Sequence, residues 1–150
     1  VQTCALPIWK NVAMLTIGDP SVYSTYMYIH KRVMQVGFTA VMISGVPSFC
    51  AAAARLGISL GEMMDEIHII PASYDVGDTV GYGGTCVYMK SGKKLAELIE
   101  VLRTGDAIRK KKMTVYGVTN CGMESERVYR GLDELTEAKG YLTIVIVKYS

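Results

Sequence analysis

The sequence has 150 residues, half of them hydrophobic, and a formal net charge of +2. That length holds one ordinary domain or two small lobes with a substantial core. No apolar run approaches the ~18 residues of a membrane span, and so small a positive charge, scattered along the chain, speaks against a dedicated nucleic-acid binder.

Cys4, Cys50, Cys86 and Cys121 are far apart with no C-x-x-C pair, so neither a zinc site nor a disulfide framework is indicated, and no metal is expected. A reducing cytoplasm is the expected compartment. The basic run Arg109–Lys112 reads as a solvated helix end or loop.

The first eight residues, Val1–Ile8, resemble the translation of a sequencing-adapter oligonucleotide whose one leftover T fits the TGG codon of Trp9. They are read as a cloning or assembly scar and set outside the fold. Asn11–Ile17 is a nearly continuous apolar run, predicting a strand buried on both faces of a parallel sheet. It stops at Gly18, after which Asp19 is placed to cap a helix with Pro20 in its first turn. Val22, Tyr26, Ile29, Val33 and Val36 recur at helical spacing until Gly37. Thr39–Ile43 predicts the next strand. Ser48 then caps an Ala-rich helix over Phe49–Leu56, closed by Gly57.

The character changes over Ile67–Gly84, where a short strand, a proline and a Gly- and Asp-rich stretch follow one another. A lobe boundary is predicted near His68–Pro71, dividing the rest of the chain into lobes of residues 9–67 and 68–150. Beyond it, Thr85–Ser91, Met113–Thr119 and Tyr141–Tyr149 predict strands, and Lys93–Arg103 and Glu124–Leu135 predict helices. The alternation gives an α/β fold class.

In an open α/β sheet, ligands lie beyond the carboxyl ends of the strands. Those ends are Gly18-Asp19-Pro20, Ser44 to Ser48, Met89-Lys90-Ser91-Gly92 and Asn120-Cys121-Gly122, all small turns with glycine. Such turns let backbone N–H and C=O groups approach a ligand closely. They also serve purely structural ends, so pattern alone leaves both readings open.

The segments GDPSVYSTYMYIHKR, SGVPSFCAAAARL, IHIIPASY, VYMKSGKKL and NCGMESERVYR carry a resemblance across Asn11 to Tyr149. They resemble the cobalamin-pathway methyltransferases that act on carbon 20 of precorrin-2 or its cobalt complex, cobalt-factor II. These form a branch of the tetrapyrrole methylase superfamily. The resemblance implies a two-lobed fold with S-adenosylmethionine as methyl donor between the lobes, and a homodimer. Carried over by position, Ile17, Gly18, Asp19, Val22, Pro47, Ser48, Met89 and Cys121 are the implied cofactor-binding residues. Ser44 departs from the commoner proline before Gly45, which puts the rigidity of that turn in question. The family's N-terminal Gly- and Pro-rich loop and first strands have no counterpart. The chain is therefore expected to lack part of the N-terminal lobe and, as given, to be inactive.

S-adenosylmethionine brings an already activated methyl group, so a protein of this kind mainly aligns carbon, methyl and sulfur, and no strong base is required. A precorrin-type substrate is a flat apolar ring edged with carboxylates. Tyr23, Arg55 and Lys90 are the candidates to meet it, through flat surface and positive charge. His30 and His68 read as structural. The competing expectations are the same scaffold with another acceptor, such as another corrin carbon or a ribosomal-RNA ribose, and a fragment with no catalytic activity.

Overall fold

The computed structural model describes residues 2–4, 12–73, 75–108 and 112–149. Most of the leading octapeptide, and all of Arg109–Lys112 except Lys112, lie outside the described residues. The chain forms two compact units, Val1–Ser48 and Phe49–Ser150. Residues 49–67, which the sequence reading gives to its first lobe, cluster with the second unit.

In the first unit, β1 (Gln2–Cys4) pairs antiparallel with β2 (Ala13–Leu15), Thr3 opposite Met14. The predicted buried parallel strand is thus shortened to three residues of the opposite pairing sense. Val12, Leu15 and Ile17 stand exposed, because a two-stranded ribbon has no second layer to cover them. The helix α1 (Tyr26–Gln35) begins six residues after Pro20 rather than at it. Two local features explain the delay: the Asp19 carboxylate is engaged by a turn, and Tyr23 takes a left-handed φ of 48° that no helix accommodates. Ser24 Oγ instead accepts the Tyr26 N–H at 3.2 Å just before the helix. Gly37, at φ 88°, ends the element as expected. Thr39–Ile43 is not a strand; it carries no ladder pairing among the described residues, and Val41 and Ile43 are exposed.

The second unit begins inside α2 (Ser48–Leu56), whose Phe49, Ala52, Ala53 and Leu56 are buried at helical spacing. Its sheet runs β3 (Ile67–Pro71), β4 (Thr85–Met89), β7 (Thr143–Tyr149), β5 (Met113–Thr119), β6 (Arg127–Arg130). Only β3 and β4 are parallel. The sheet is covered on both faces. Cys86, Tyr88, Val115, Val145 and Val147 pack with Leu95, Leu98, Ile99 and Leu102 of α3 (Leu95–Ile108). Their alternates Val87, Val118, Ile144 and Ile146 are buried as well. Arg130 donates to the Leu56 carbonyl at 3.4 Å and Lys148 to the Ser59 carbonyl at 2.9 Å, tying the end of α2 to β6 and β7.

The predicted helix over Glu124–Leu135 is replaced by β6 and the single-turn α4 (Leu132–Leu135). β5 would otherwise be an edge, and Val128 and Tyr129 supply the β-branched and aromatic side chains suited to completing its ladder. Gly131, at φ 105°, then separates strand from helix.

Leu98 is fully buried at the centre of the packed layer between α3 and the sheet. Leu98→Ala should lower the stability of the second unit by about 2–5 kcal/mol. Urea unfolding should show the midpoint falling with the slope unchanged.

Candidate functional site

The first cluster of site residues is built on a carboxylate. Asp19, 8% exposed, follows Gly18 at the end of the β2 segment. Its Oδ1 accepts the Ser21 backbone N–H at 2.8 Å and the Ser21 hydroxyl at 2.5 Å. Its Oδ2 accepts the Ser44 hydroxyl at 2.7 Å and the Gly45 N–H at 2.9 Å. Four donors thus converge on one side chain and join two turns some 25 residues apart. The Ser21 and Ser44 hydroxyls, with the Ser21 and Gly45 amides, hold the Asp19 carboxyl well below the ordinary carboxylate range.

Glycine is required where these turns meet. A Cβ on Gly45 would lie 2.3 Å from the Gly18 carbonyl oxygen, a clash with backbone that no rotamer relieves. Gly18 itself has φ 84°, and a Cβ there would only touch Val46 O at 3.7 Å and Ser48 N at 3.9 Å. Gly18, Asp19 and Ser48 are therefore brought together, with Ser44, Gly45 and Val46 completing the group. Val22 and Pro47 are half-buried beside them in sequence. Ile17 is 80% exposed, and Tyr23 is also exposed.

The second cluster lies at the ends of β4 and β5. Met89 is buried and its carbonyl accepts the Ala72 N–H at 2.7 Å. Lys90 and Asn120 both turn the chain with left-handed φ, at 57° and 51°. Ser91, Thr119 and Thr143 are buried polar residues between these two turns. The Ser91 hydroxyl donates to the Thr143 carbonyl at 3.3 Å, and the Thr143 hydroxyl donates to Gly140 O at 3.0 Å. The Thr119 hydroxyl, 2.9 Å away, then donates to Thr143 Oγ1. Cys121 follows, half-buried, in a turn held by Glu126 and Arg55. Arg55 is paired with Glu126 while its side chain remains 57% exposed. The two histidines engage aromatic neighbours: His30 Nδ1 lies 3.3 Å from the Tyr26 hydroxyl, and His68 lies against the Tyr82 ring at 4.7 Å.

Sequence reasoning placed Ser44 and Gly45 in a strand-end turn without connecting that turn to Asp19, and it missed Ser21 and Glu126 as members of these clusters. Ser44 also stood out as a departure from proline, and its hydroxyl ties the turn to Asp19. Glu126 is 71 residues from Arg55, a separation that no local pattern reveals. Among the described residues, no group of three or more His, Cys, Asp or Glu could hold a metal ion, and no helix is long and apolar enough to cross a membrane.

The second unit layers a mixed sheet with helices, and each unit has a glycine turn clasped by a carboxylate, Gly45 by Asp19 and Gly122 by Glu126; the class is an α/β protein. Residues 3–136 match the family described as tetrapyrrole (corrin/porphyrin) methylases, and the chain belongs to that family. It is 33% identical over 141 residues to a probable cobalt-precorrin-2 C(20)-methyltransferase of Methanocaldococcus jannaschii, covering 92% of this chain and 59% of that one. A solved cobalt-precorrin-4 methyltransferase superposes with a TM-score of 0.71 at 16% identity, covering 87% of this chain and 61% of the other. A uroporphyrin-III C-methyltransferase of Thermus thermophilus, solved with S-adenyl homocysteine, gives a TM-score of 0.67 at 17% identity, covering 87% and 62%. The chain thus spans about 60% of the length of these relatives, and it has the α/β tetrapyrrole methylase fold.

The meeting of the Gly18 and Gly45 turns generates an ordered pair of outcomes. Gly45→Ala forces backbone apart and should destabilise by about 1–3 kcal/mol. Gly18→Ala meets only conformational strain of about 1–2 kcal/mol and should be the milder change. Thermal unfolding of both variants checks the order. Because the folded-state pKa of Asp19 is depressed, its contribution is present above the ordinary carboxyl pKa and is lost as the pH falls below about 4. Asp19→Asn should therefore be less stable than the unaltered protein at pH 7, with the gap narrowing progressively below about pH 4.

Proposed function

We propose that this chain works in an S-adenosylmethionine-dependent methyltransferase of cobalamin biosynthesis. Its acceptor is carbon 20 of precorrin-2 or of its cobalt complex. The observation that carries this reading is the likeness to the archaeal probable C(20)-methyltransferase over nearly the whole chain. The clasped Gly18 and Gly45 turns support it, since they bring the backbone of Gly18, Asp19 and Ser48, three of the implied cofactor residues, close together.

The cofactor, when bound, supplies a methyl group activated as a sulfonium substituent. The chain's own residues then have binding and orienting tasks. Gly18, Asp19 and Ser48 offer backbone groups of a rigid double turn, and Ile17, Val22 and Pro47 offer apolar surface beside it. Met89 and the backbone of Cys121 form a second contact set. Asp19 acts through the turn, because both of its oxygens are occupied by the chain's own donors. Tyr23 and Lys90 face the substrate in this reading, as does Arg55, whose guanidinium has N–H groups beyond the Nε bound to Glu126. Orientation in a dry site accounts for most of the acceleration, with no general base assigned. A homodimer in the cytoplasm completes the reading.

A ribose acceptor on RNA calls for a more basic surface than a net charge of +2 provides. The decisive assay uses the protein with whatever natural sequence its gene encodes around this chain. It is offered S-adenosylmethionine and reduced precorrin-2, metal-free and cobalt-loaded, under anaerobic conditions. Mass and NMR should place one new methyl at carbon 20; methylation elsewhere on the ring contradicts the carbon-20 assignment, and turnover on RNA alone contradicts the substrate class. Lys90→Gln should raise KM for the tetrapyrrole by about tenfold while leaving KM for S-adenosylmethionine within about twofold, the signature of lost uniform binding to one ligand.

A further inference from the structure

The turn that follows β5 is held by a side chain outside the family-derived contact set. Glu126 is only 16% exposed although it sits in a surface loop. Its Oε2 accepts the Gly122 N–H at 2.7 Å, and its Oε1 accepts from Nε of Arg55 in the last turn of α2. A backbone amide of the loop and a guanidinium of α2 therefore meet on one acidic side chain.

The rest of the loop is arranged around that node. Asn120 and Gly122 both have left-handed φ, so the chain reverses tightly on either side of Cys121. Asn120 N donates to Leu142 O at 3.0 Å, and its side-chain amide donates to Ser125 Oγ at 3.0 Å. Met123 N returns to Asn120 O, and Glu126 N to Met123 O, each at 3.0 Å. These bonds close the loop on itself. Beyond the Asn120 tie to Leu142, Glu126 adds a second fixed point outside the loop, on α2, through Arg55.

We propose that Glu126 is a positioning residue: it holds the Cys121–Gly122 turn through the Gly122 amide and anchors it to α2 through Arg55, so that Cys121 presents its backbone to the methyl donor. This rests on the reading of Cys121 as a cofactor contact. Arg55 serves the site first as the brace of Glu126. The electrostatics agree with the geometry. The Gly122 amide, and next the Arg55 guanidinium, hold the Glu126 carboxyl below its ordinary range. Burial, and next the Glu126 charge, push the Cys121 thiol up, while Arg55 opposes that shift.

Site-resolved alkylation with iodoacetamide, followed by peptide mass spectrometry on the full gene product, tests this without relying on activity. Cys50, which is exposed and unbonded to another cysteine, serves as the internal reference. Only the thiolate reacts, so Glu126→Gln should alkylate at Cys121 severalfold faster than the unaltered protein. Arg55→Met, which keeps the Glu126 carboxylate and cuts its tie to α2, should also alkylate faster, whereas Ser125→Ala, which leaves Glu126 and Arg55 in place, should leave the Cys121 rate unchanged. A Cys121 rate raised as much by Ser125→Ala as by Glu126→Gln marks general loosening of the loop and overturns the proposal, as does an unchanged Cys121 rate in a folded Glu126→Gln. In parallel, Glu126→Gln should raise KM for S-adenosylmethionine by about tenfold, the weight of one charge-assisted hydrogen bond, with KM for the tetrapyrrole unmoved. An unaltered protein that binds no S-adenosylhomocysteine by calorimetry would instead overturn the reading of function, leaving the alkylation result to judge Glu126 alone.

Discussion

A shielded carboxylate survives in a protein only when donors replace the water it loses. Asp19 meets that condition fully, with two donors on each oxygen. What the donors share is more important than their number. Two belong to the turn Asp19 itself begins, and two belong to a turn after α1, so the carboxylate sets the distance between segments that no β-ladder joins. The glycine at position 45 follows from that distance, because the backbones approach so closely that a methyl group would overlap a carbonyl oxygen. The loop positions of the first unit thus depend on one side chain and its partners.

The second unit uses the same device in a different setting. Glu126 holds the Cys121 turn by a backbone amide and a guanidinium, while Ser91, Thr119 and Thr143 knit the neighbouring strand ends with hydroxyls. Buried hydroxyl pairs are costly when unmet and rigid when satisfied. Here Thr143 both accepts from Thr119 and donates to Gly140, so the pair is satisfied in one direction only. Such a relay orients the ends of β5 and β7 relative to each other more narrowly than apolar packing would.

These dependencies explain which parts of the molecule were legible in the sequence. The strands over Thr85–Met89, Met113–Thr119 and Thr143–Tyr149 were readable because burial on both faces leaves a continuous apolar run. The helix predicted over Lys93–Arg103 was readable, and the structure carries it over Leu95–Ile108 with Leu95, Leu98, Ile99 and Leu102 buried in a stripe. Arg127–Arg130 was not, since a half-buried edge strand of four residues is too short to show alternation and its flanking charges mimic an amphipathic helix. Asp19 before Pro20 has the form of a helix start, yet its Oδ1 is taken by Ser21 and its Oδ2 by a turn more than twenty residues away. The glycine turns themselves were legible as turns. Their side-chain partners were not, because an ion pair or hydrogen bond across a long separation leaves no periodic trace.

Ser44 shows how a local departure can preserve a global constraint. A proline before Gly45, as in the related pattern, restricts its own φ and disfavours the helical region for the residue before it, stiffening the turn through covalent geometry. Serine has neither effect and would leave the turn free to wander if it stood alone. Its hydroxyl instead reaches Asp19 Oδ2 at 2.7 Å, on the same oxygen that accepts the Gly45 amide, so two adjacent residues are pinned to one point. The rigidity is recovered through the carboxylate rather than through the backbone ring. The two solutions are not equivalent. A ring is indifferent to pH, whereas a hydroxyl bound to a carboxylate loses its charge assistance when that carboxylate takes a proton. With serine at this position, the spacing of the two turns is tied to the ionisation of Asp19. The depressed pKa that Ser21, Ser44 and the two amides give that group is what keeps the tie intact through the neutral range.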